Sequence, residues 1–419
     1  MAAELGALHP VTEAVEGARL TELVRALAVF GALPGGEGVD RQTLTPDDLA
    51  ARRLLVDRAR AVGAEALRDP AGNFFFRWPG RQDLPAIATG SHIDSQPSGG
   101  ALDGAYGVCA GMELLEALSA TGYRPARPVE VVIWTNEEGC RFAPGTMGSS
   151  AFADPGLLAG FLQAGDAEGM TFGEALSALD SAFGDVALRP LGVPFTAFVE
   201  AHIEQGTRLD EAGMPIGVVE RIQGSRWFEF TVKGMASHAG TTSRSRKRDA
   251  LAAAVGIAQQ IYGLLASGDE DLRLTIGRLV VSPGSINVVP AEVRFSVDLR
   301  HPSIEVLDAL EGELRTLARP LAGCDVKIER TMEMSPALFD IGVVRAVAES
   351  AERVGVSYLE LPSGAFHDSL RLIGHCPTGM VFVPSIEGLS HNPHERTRDA
   401  DLVSGARVLA ETIVTLADR

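Results

Sequence analysis

His92 and Asp94 stand two positions apart in GSHIDSQPSGGALDGAYGV (90–108), and after eight further residues comes a second acid, Asp103. A loop that needed only solubility would be as well served by Ser or Asn; one histidine and two acids threaded among small residues are the types that hold something. Four more groups of the same kind follow: Glu137-Glu138 in WTNEEGC, His202 in VEAHIEQG, His238 in GMASHAGTT and His391 in LSHNPHE. Imidazole and carboxylate are ligands of borderline divalent metals. Two such ions about 3.5–4 Å apart need a carboxylate that bridges them, and the pair can activate a water and polarise a carbonyl. A general base is needed as well, and it should not be consumed as a ligand. Adjacent Glu137 and Glu138 offer both roles, because neighbouring side chains in a loop can diverge. Taken singly, each group is ordinary: His-x-Asp is a common surface pair, and Glu-Glu a common solvated turn. Their joint placement behind successive apolar strands argues for chemistry, and spacing alone does not say which acid is ligand and which is base.

Those strands and their partners are legible as elements. Leu20, Leu23, Val24 and Leu27 fall at helical spacing within 18–32. LPAIATGSH (84–92) is a short apolar strand ahead of the acid-rich loop, and AYGVCAGMELLEALSATG (105–122) is a helix stopped by Gly122. VEVVIWT (129–135) is a continuous apolar strand of the type buried on both faces, and NEEG follows its end. Strand, loop, helix, strand, loop is the pattern of an α/β sheet, whose ligands sit beyond the carboxyl ends of the strands. Both acid-rich loops, 91–104 and 136–141, fall at that edge. After about residue 220 the texture changes. SRWFEFTVKG (225–234), LRLTIGRLVV (272–281), AEVRFSVDLRHP (291–302) and CDVKIERTME (324–333) read as strands, with helices over 248–266 and 303–322. In 291–302 Val293, Phe295, Val297 and Leu299 share one face, and Arg294, Ser296, Asp298 and Arg300 the other, which implies a sheet covered on one side. Residues 220–333 therefore form a small α+β module inserted into a larger domain made of 1–219 and 334–419.

A chain of 419 residues exceeds what one hydrophobic core usually serves, in keeping with two domains. Apolar content of 46% with 6% aromatics excludes a disordered chain. With 37 basic residues against 55 acidic ones the net charge is −18, which repels nucleic acid and anionic membrane alike. The one basic run, RSRKR at 244–248, opens a helical pattern and reads as a solvated helix start. Cys109, Cys140, Cys324 and Cys376 are scattered without a CxxC pair, so a reducing cytoplasm is expected rather than a disulfide framework. The opening segment carries acids and no Lys or Arg before Arg19, unlike a signal peptide, and no apolar run approaches the roughly 20 residues that span a bilayer.

The five motifs GSHIDSQPSGGALDGAYGV, WTNEEGCRFAPGTMGS, EAHIEQG, GMASHAGTT and FVPSIEGLSHNPHE resemble, in order, those of the amidase/hydantoinase/carbamoylase branch of the M20 metallopeptidase-like family. That branch includes N-carbamoyl-L-amino-acid hydrolases, β-ureidopropionases of the bacterial and yeast type, and allantoate amidohydrolases. The resemblance covers about residues 84 to 395. It implies a di-metal hydrolase domain on a mixed, largely parallel sheet, with an inserted α+β lid through which a homodimer forms. It also implies two divalent ions, Zn, Mn, Ni or Co, held by His92, Asp103 as the bridge, Glu138, His202 and His391. Asp94 matches a carboxylate that orients imidazole, and Glu137 the base that takes a proton from the attacking water. Peptide-cleaving relatives usually carry an acid at the position of His202, so EAHIEQG favours the carbamoyl and ureido branch. His394 is a rival ligand three residues after His391, but SHNP-x-E places the first histidine in the family's slot. His238 resembles the residue that steadies the oxyanion, in its own or the partner subunit's site. Gln205, Asn287, Arg300, Gly364 and Ala365 fall at substrate-binding positions, with Arg300 taking the substrate carboxylate. The residue's own chemistry agrees, since a guanidinium fork suits a carboxylate bidentately; the plainer alternative is a strand arginine paired with Asp298.

Phe366 and Ser369 in LPSGAFHDSL stand where the family usually has Gly and Ala, and SRSRKRDA follows Thr241-Thr242 where a Pro-containing sequence is more usual. Both departures bear on substrate choice. His367 and Asp368 match the family's His-Asp pair, close to substrate or behind the ligands, while His9, His301 and His375 have no partner motif. The expected reaction is hydrolysis of a carbamoyl group on a small carboxylate-bearing molecule, most plausibly an N-carbamoyl-L-amino acid. The alternatives are a β-ureidopropionase or allantoate amidohydrolase, an aminoacylase or dipeptidase of the same fold, and a non-catalytic metal binder, for which a retained Glu137 would be superfluous.

Overall fold

A computed structural model describes residues 7–419, in two compact units. One runs to Glu220 and resumes at Phe339; the other is Arg221–Leu338. The second junction falls later than the expected 333/334, because the strand Asp325–Met334 keeps its pairing with Gly224–Lys233 as far as Met334 opposite Ser225.

The first unit is α/β. At the centre of its mixed sheet four parallel strands lie side by side in the order Thr378–Val383, Phe195–Ile203, Ala86–His92 and Val129–Trp134. Antiparallel strands flank them, Ile216–Ile222 on one side and Phe74–Trp78 then Glu65–Arg68 on the other. Parallel neighbours need a crossover, and the helix Ala105–Thr121 supplies it between 86–92 and 129–134. Helices cover the sheet, so every residue of 86–92, 129–134 and 378–383 is buried, which is why these runs read as continuous apolar stretches. Trp134 packs edge-on or tilted against Phe75, Phe152 and Phe198, all fully buried, each such side chain stabilising the fold by about 1.5–3 kcal/mol.

The second unit is an antiparallel sheet built on Gly224–Lys233, Glu292–His301 and Asp325–Met334. The alternation in 291–302 is realised: Val293, Phe295, Val297 and Leu299 are fully buried and Arg294 is exposed. Phe230 stacks on Phe295 across the strand pair at 4.9 Å. Residues 272–281, expected as one strand, form two, Arg273–Thr275 and Leu279–Ser282, both paired with 292–301. Between them Arg278 leaves the ladder and bonds Ser296 through its backbone. The second helix stops at Thr316 rather than near 322, ahead of Pro320, whose ring cannot continue it.

One correction concerns apolar runs. Among the described residues the stretch Ala250–Ser267 is, by length and composition, apolar enough to cross a membrane. Its helix Ala250–Gly263 lays Ala250, Ala253, Ala254, Ile257 and Ile261 on the sheet and leaves Val255 and Tyr262 exposed.

Candidate active site

Because the four central strands of the first unit are parallel, their carboxyl ends share one edge: Phe382 lies beside His202, and His92 beside Trp134. His92 and His202 sit at or next to the last position of their strands. Glu137 and Glu138 follow the end of 129–134, and His391 lies in the loop after 378–383. Asp103 closes the loop between 86–92 and the crossover helix. Topology thus delivers two strand-end histidines and four loop-borne groups to one place. At Gly104 (φ +63°) a Cβ would lie 2.3 Å from His92 Nε2, so only glycine lets this turn close on the imidazole.

The side chains form two trios that share one acid. His92, Asp103 and His202 have ligand atoms within 4.8 Å of one another, and so do Asp103, Glu138 and His391. Asp103 Oδ1 is 3.2 Å from His202 Nε2 and 3.8 Å from His92 Nε2, while Oδ2 is 3.3 Å from His391 Nε2. The two oxygens therefore face different sides. His92 Nδ1 lies 2.9 Å from the Asp94 carbonyl and His202 Nδ1 2.9 Å from that of Ile203, which turns both Nε2 atoms toward Asp103, where His202 Nε2 also accepts from Gly104 N at 3.1 Å. Glu138 Oε2 accepts from Gln96 Nε2 at 2.6 Å and lies 3.6 Å from His391, while its Oε1 is buried without a hydrogen-bond partner. Glu137 belongs to neither trio; its Oε2 is 3.6 Å from His92 Nε2.

Electrostatics show what is missing from a pocket built this way. Burial, with the charge of Asp103, pushes the Glu138 carboxyl up to about 8. Burial and then the charges of Asp368, Glu138, Asp94 and Asp103 raise Glu137 well above the ordinary range. Asp94 is raised by burial as well. No lysine or arginine of this unit pairs with Asp103, Glu137 or Glu138 among the described residues. Buried carboxylates this close are costly unless cations compensate them, and the imidazole-carboxylate donor set fits divalent metal ions.

Asp94 stands differently from its anticipated part, and the remaining expected residues lie outside the two trios. The Asp94 carboxylate is 3.7 Å from His92 Nδ1, and the backbone carbonyl of the same residue takes that hydrogen bond. Its two oxygens instead accept the backbone N–H groups of Glu137 and Glu138, each at 3.2 Å, so Asp94 orients the glutamate pair. Gln205 turns its Nε2 onto Asp103 Oδ2 (2.8 Å) and Ser390 (3.1 Å), leaving a buried Oε1 without a partner. His394 is exposed and pairs with Glu37 at 2.6 Å. Gly364 is exposed and Ala365 half-buried, the latter donating its N–H to Ser363 Oγ at 3.2 Å. His238, Asn287 and Arg300 belong to the second unit. There the strand pair Ser237–His238 and Val288–Val289 sets His238 beside Asn287, whose carbonyl accepts from Ala239 N at 3.0 Å. Arg300 forks onto Asp298, with Nη2 at 2.8 Å.

Other members of the site went unread in the sequence. Glu200, fully buried, lies on the same strand face as His202 two residues on, a period-two signal that could have marked it. Its oxygens accept from Ser91 Oγ (2.6 Å) and Ser369 N (2.9 Å), so it braces the pocket floor. Together with His202 and His367 it forms a third set of convergent ligand atoms. The His367 ring meets His202 edge-on at 4.5 Å. Ser390 Oγ donates to Asp103 Oδ2 at 2.9 Å, and Glu395 accepts the backbone N–H groups of Leu102 and Asp103.

Comparison with known proteins bears on this geometry. Residues 88–415 match Peptidase family M20/M25/M40. An N-carbamoyl-L-amino acid amidohydrolase of Geobacillus stearothermophilus is 38% identical over 96% of this chain and 99% of its own. An allantoate amidohydrolase of Escherichia coli K12 is 34% identical over 95% and 97%. The crystal structure of a hydantoinase/carbamoylase family amidase from Burkholderia multivorans is 41% identical, with a TM-score of 0.90 over 97% of this chain and 98% of that one. The chain belongs to peptidase family M20/M25/M40, in its hydantoinase/carbamoylase amidase branch, and is a hydrolase of amide C–N bonds.

Proposed function

We propose that the chain is a metal-dependent amidohydrolase that removes the carbamoyl group from an N-carbamoyl-L-amino acid, releasing the amino acid, carbon dioxide and ammonia. The observation that carries this reading is the pair of trios sharing Asp103, with a spare buried carboxyl, Glu137, alongside. His92, Asp103 and His202 would hold one divalent ion, and Asp103, Glu138 and His391 the second. When bound, the pair supplies Lewis acidity toward a poorly electrophilic ureido carbonyl and makes water a better nucleophile at neutral pH. Glu137, beside the two trios and outside both, takes the proton of the attacking water and passes it to the leaving nitrogen. His238 Nδ1 accepts from the N–H groups of Gly240 (3.0 Å) and Thr241 (3.1 Å), so Nε2 carries the ring's outward donor, suited to the developing oxyanion. Arg300 receives the substrate carboxylate, Asn287 and the Gly364-Ala365 backbone line the substrate, and the vacant acceptor Gln205 Oε1 meets a substrate N–H. Val255, Tyr262 and Val280, exposed on the second unit, support a homodimer through that unit.

The test is ammonia release by apoprotein reloaded with Zn, Mn, Ni or Co, on a panel of N-carbamoyl-L-amino acids, N-carbamoyl-β-alanine, allantoate and N-acetyl amino acids. Turnover of N-carbamoyl-L-amino acids with silence on N-acetyl compounds is expected. Preference for allantoate would move the assignment to that substrate, for which the relative at 34% identity is named. Cleavage of acyl substrates alone would overturn it.

A further inference from the structure

Asp103 is the acid on which both trios depend, yet it sits in a glycine-rich loop without regular structure before the crossover helix. Something must hold its backbone, and the structure locates it 292 residues away. Glu395 is buried, 7% exposed, at the end of the segment that carries His391. Its Oε1 accepts two backbone hydrogen bonds at once, from Leu102 N at 2.9 Å and Asp103 N at 3.0 Å. Its own N–H donates to Asn392 O at 3.0 Å, which folds the segment into a turn just beyond His391. Gly100 makes room for the carboxyl: a Cβ there would lie 2.2 Å from Glu395 Cδ and Oε1. Glu395 Oε2 is buried and accepts no hydrogen bond. Two loops supply Asp103 and His391, whose Oδ2 and Nε2 are 3.3 Å apart, and the Glu395 carboxyl is a hydrogen-bonded tie between those loops.

We infer that Glu395 is a positioning residue for the metal pocket, a latch that sets the backbone at Asp103 and its distance from His391. It touches neither substrate nor reacting atoms. One carboxyl oxygen accepts both N–H groups, so its reach fixes two successive backbone positions at once. Its removal leaves two buried donors unsatisfied beside the bridging acid, in a backbone where nearly all such groups are paired. This inference rests on Asp103 and His391 holding metal.

The experiment compares Glu395→Gln, Glu395→Asp and Glu395→Ala with the native chain. Readouts are Zn affinity of the apoprotein by chelator competition, and hydrogen exchange of the 98–106 backbone without metal. Glutamine keeps an acceptor at the same reach, so affinity within about threefold of native is expected, whereas Asp and Ala withdraw it and should lose about 10–100-fold, the range for groups that orient ligands. Exchange at Leu102 and Asp103 should quicken in the Asp and Ala variants and stay near native in the Gln variant. Native Zn affinity in Glu395→Asp overturns the inference, whether or not exchange quickens, because a latch that moves the loop must move the metal. Equal losses in the Gln and Asp variants overturn it too, since charge and not reach would then be at work. His391→Ala, measured in parallel, separates the two claims: unchanged Zn binding there refutes the metal reading itself.

Discussion

Apart from His391, which is exposed in the first unit, the two units present their candidate residues in opposite states. In the first, His92, Asp103 and His202 are buried and fixed by strand ends, ring-to-backbone hydrogen bonds and a glycine turn that admits no side chain. In the second, His238 is exposed, on a strand two residues long, and Arg300 is half-buried against Asp298. The first set is preorganised: its geometry is established by the fold before any ligand arrives. The second set consists of donors on a surface, whose effect depends on what they meet. This difference predicts unlike responses to mutation, total in the first unit and graded in the second.

Asp103→Asn is the harshest challenge to the first half of that contrast. Both trios lose their shared charge, so both ions should go, with affinity falling by more than the roughly 10–100-fold that outer partners cost. Glu137→Gln should instead keep both ions while turnover falls by about 10²–10⁴-fold, the usual worth of a general base. Elemental analysis beside the ammonia assay checks both. A metal-free Glu137→Gln protein would make Glu137 a ligand, and a fully loaded Asp103→Asn protein would abolish the shared bridge.

The contrast also explains what could be read from the sequence. His92 and the Glu137-Glu138 pair were legible because buried parallel strands advertise themselves as apolar runs, and ligand-bearing loops must follow their carboxyl ends, whereas His202 stood out by residue type and by the resemblance of EAHIEQG, its own strand unread. Main-chain acceptors carry no such mark: the carbonyl that orients His92 belongs to Asp94, and only coordinates show that the carboxylate turns to the glutamate loop instead. Nor could composition reveal a tie between Glu395 and Leu102-Asp103, since a contact across 292 residues is a product of topology. The stretch 250–267 carries Gly and Gln among its apolar residues, yet its length and composition suffice for a membrane span.

Smaller effects belong to the second unit. His238→Asn should lower turnover by about 10²–10³-fold, the loss typical of one oxyanion donor, with metal content unchanged. Arg300→Ala should act chiefly on KM and on carboxylate-bearing substrates, while a neutral ureide loses little. Because Arg300 already forks onto Asp298, part of its charge is committed, and a KM rise of about tenfold, roughly 1.4 kcal/mol, is expected. Loss of metal in either variant would erase the distinction between the two units. An equal loss on charged and neutral substrates would remove Arg300 from substrate recognition.

The smallest effect is on stability, and it isolates the preorganised pocket. A carboxyl whose pKa is higher in the folded than in the unfolded chain binds more protons when folded. Its stabilisation is therefore complete below the unfolded value and is lost as pH rises through the folded one. Glu138 moves from 4.5 to about 8, and Glu137 and Asp94 are also raised. His202 acts in the same sense, because against the pull of burial the Asp103 carboxylate holds it up to about 9. Asp103, lowered well below its ordinary value, is ionised in both states above pH 5 and adds no slope. Below about 6.5 His92 and His367, both lowered by burial, act in the opposite sense, so metal-free protein should melt lower as pH rises from 6.5 to 8.5, by on the order of a few degrees for a chain of this size. Bound cations replace the protons as partners of the same acids, and metal affinity grows as those ligands deprotonate, so saturating Zn should flatten or reverse the slope. Melting curves with and without chelator decide the matter: a metal-free midpoint that climbs with pH would mean that the pocket's acids are not held against their own repulsion, and the case for preorganisation would fall with it.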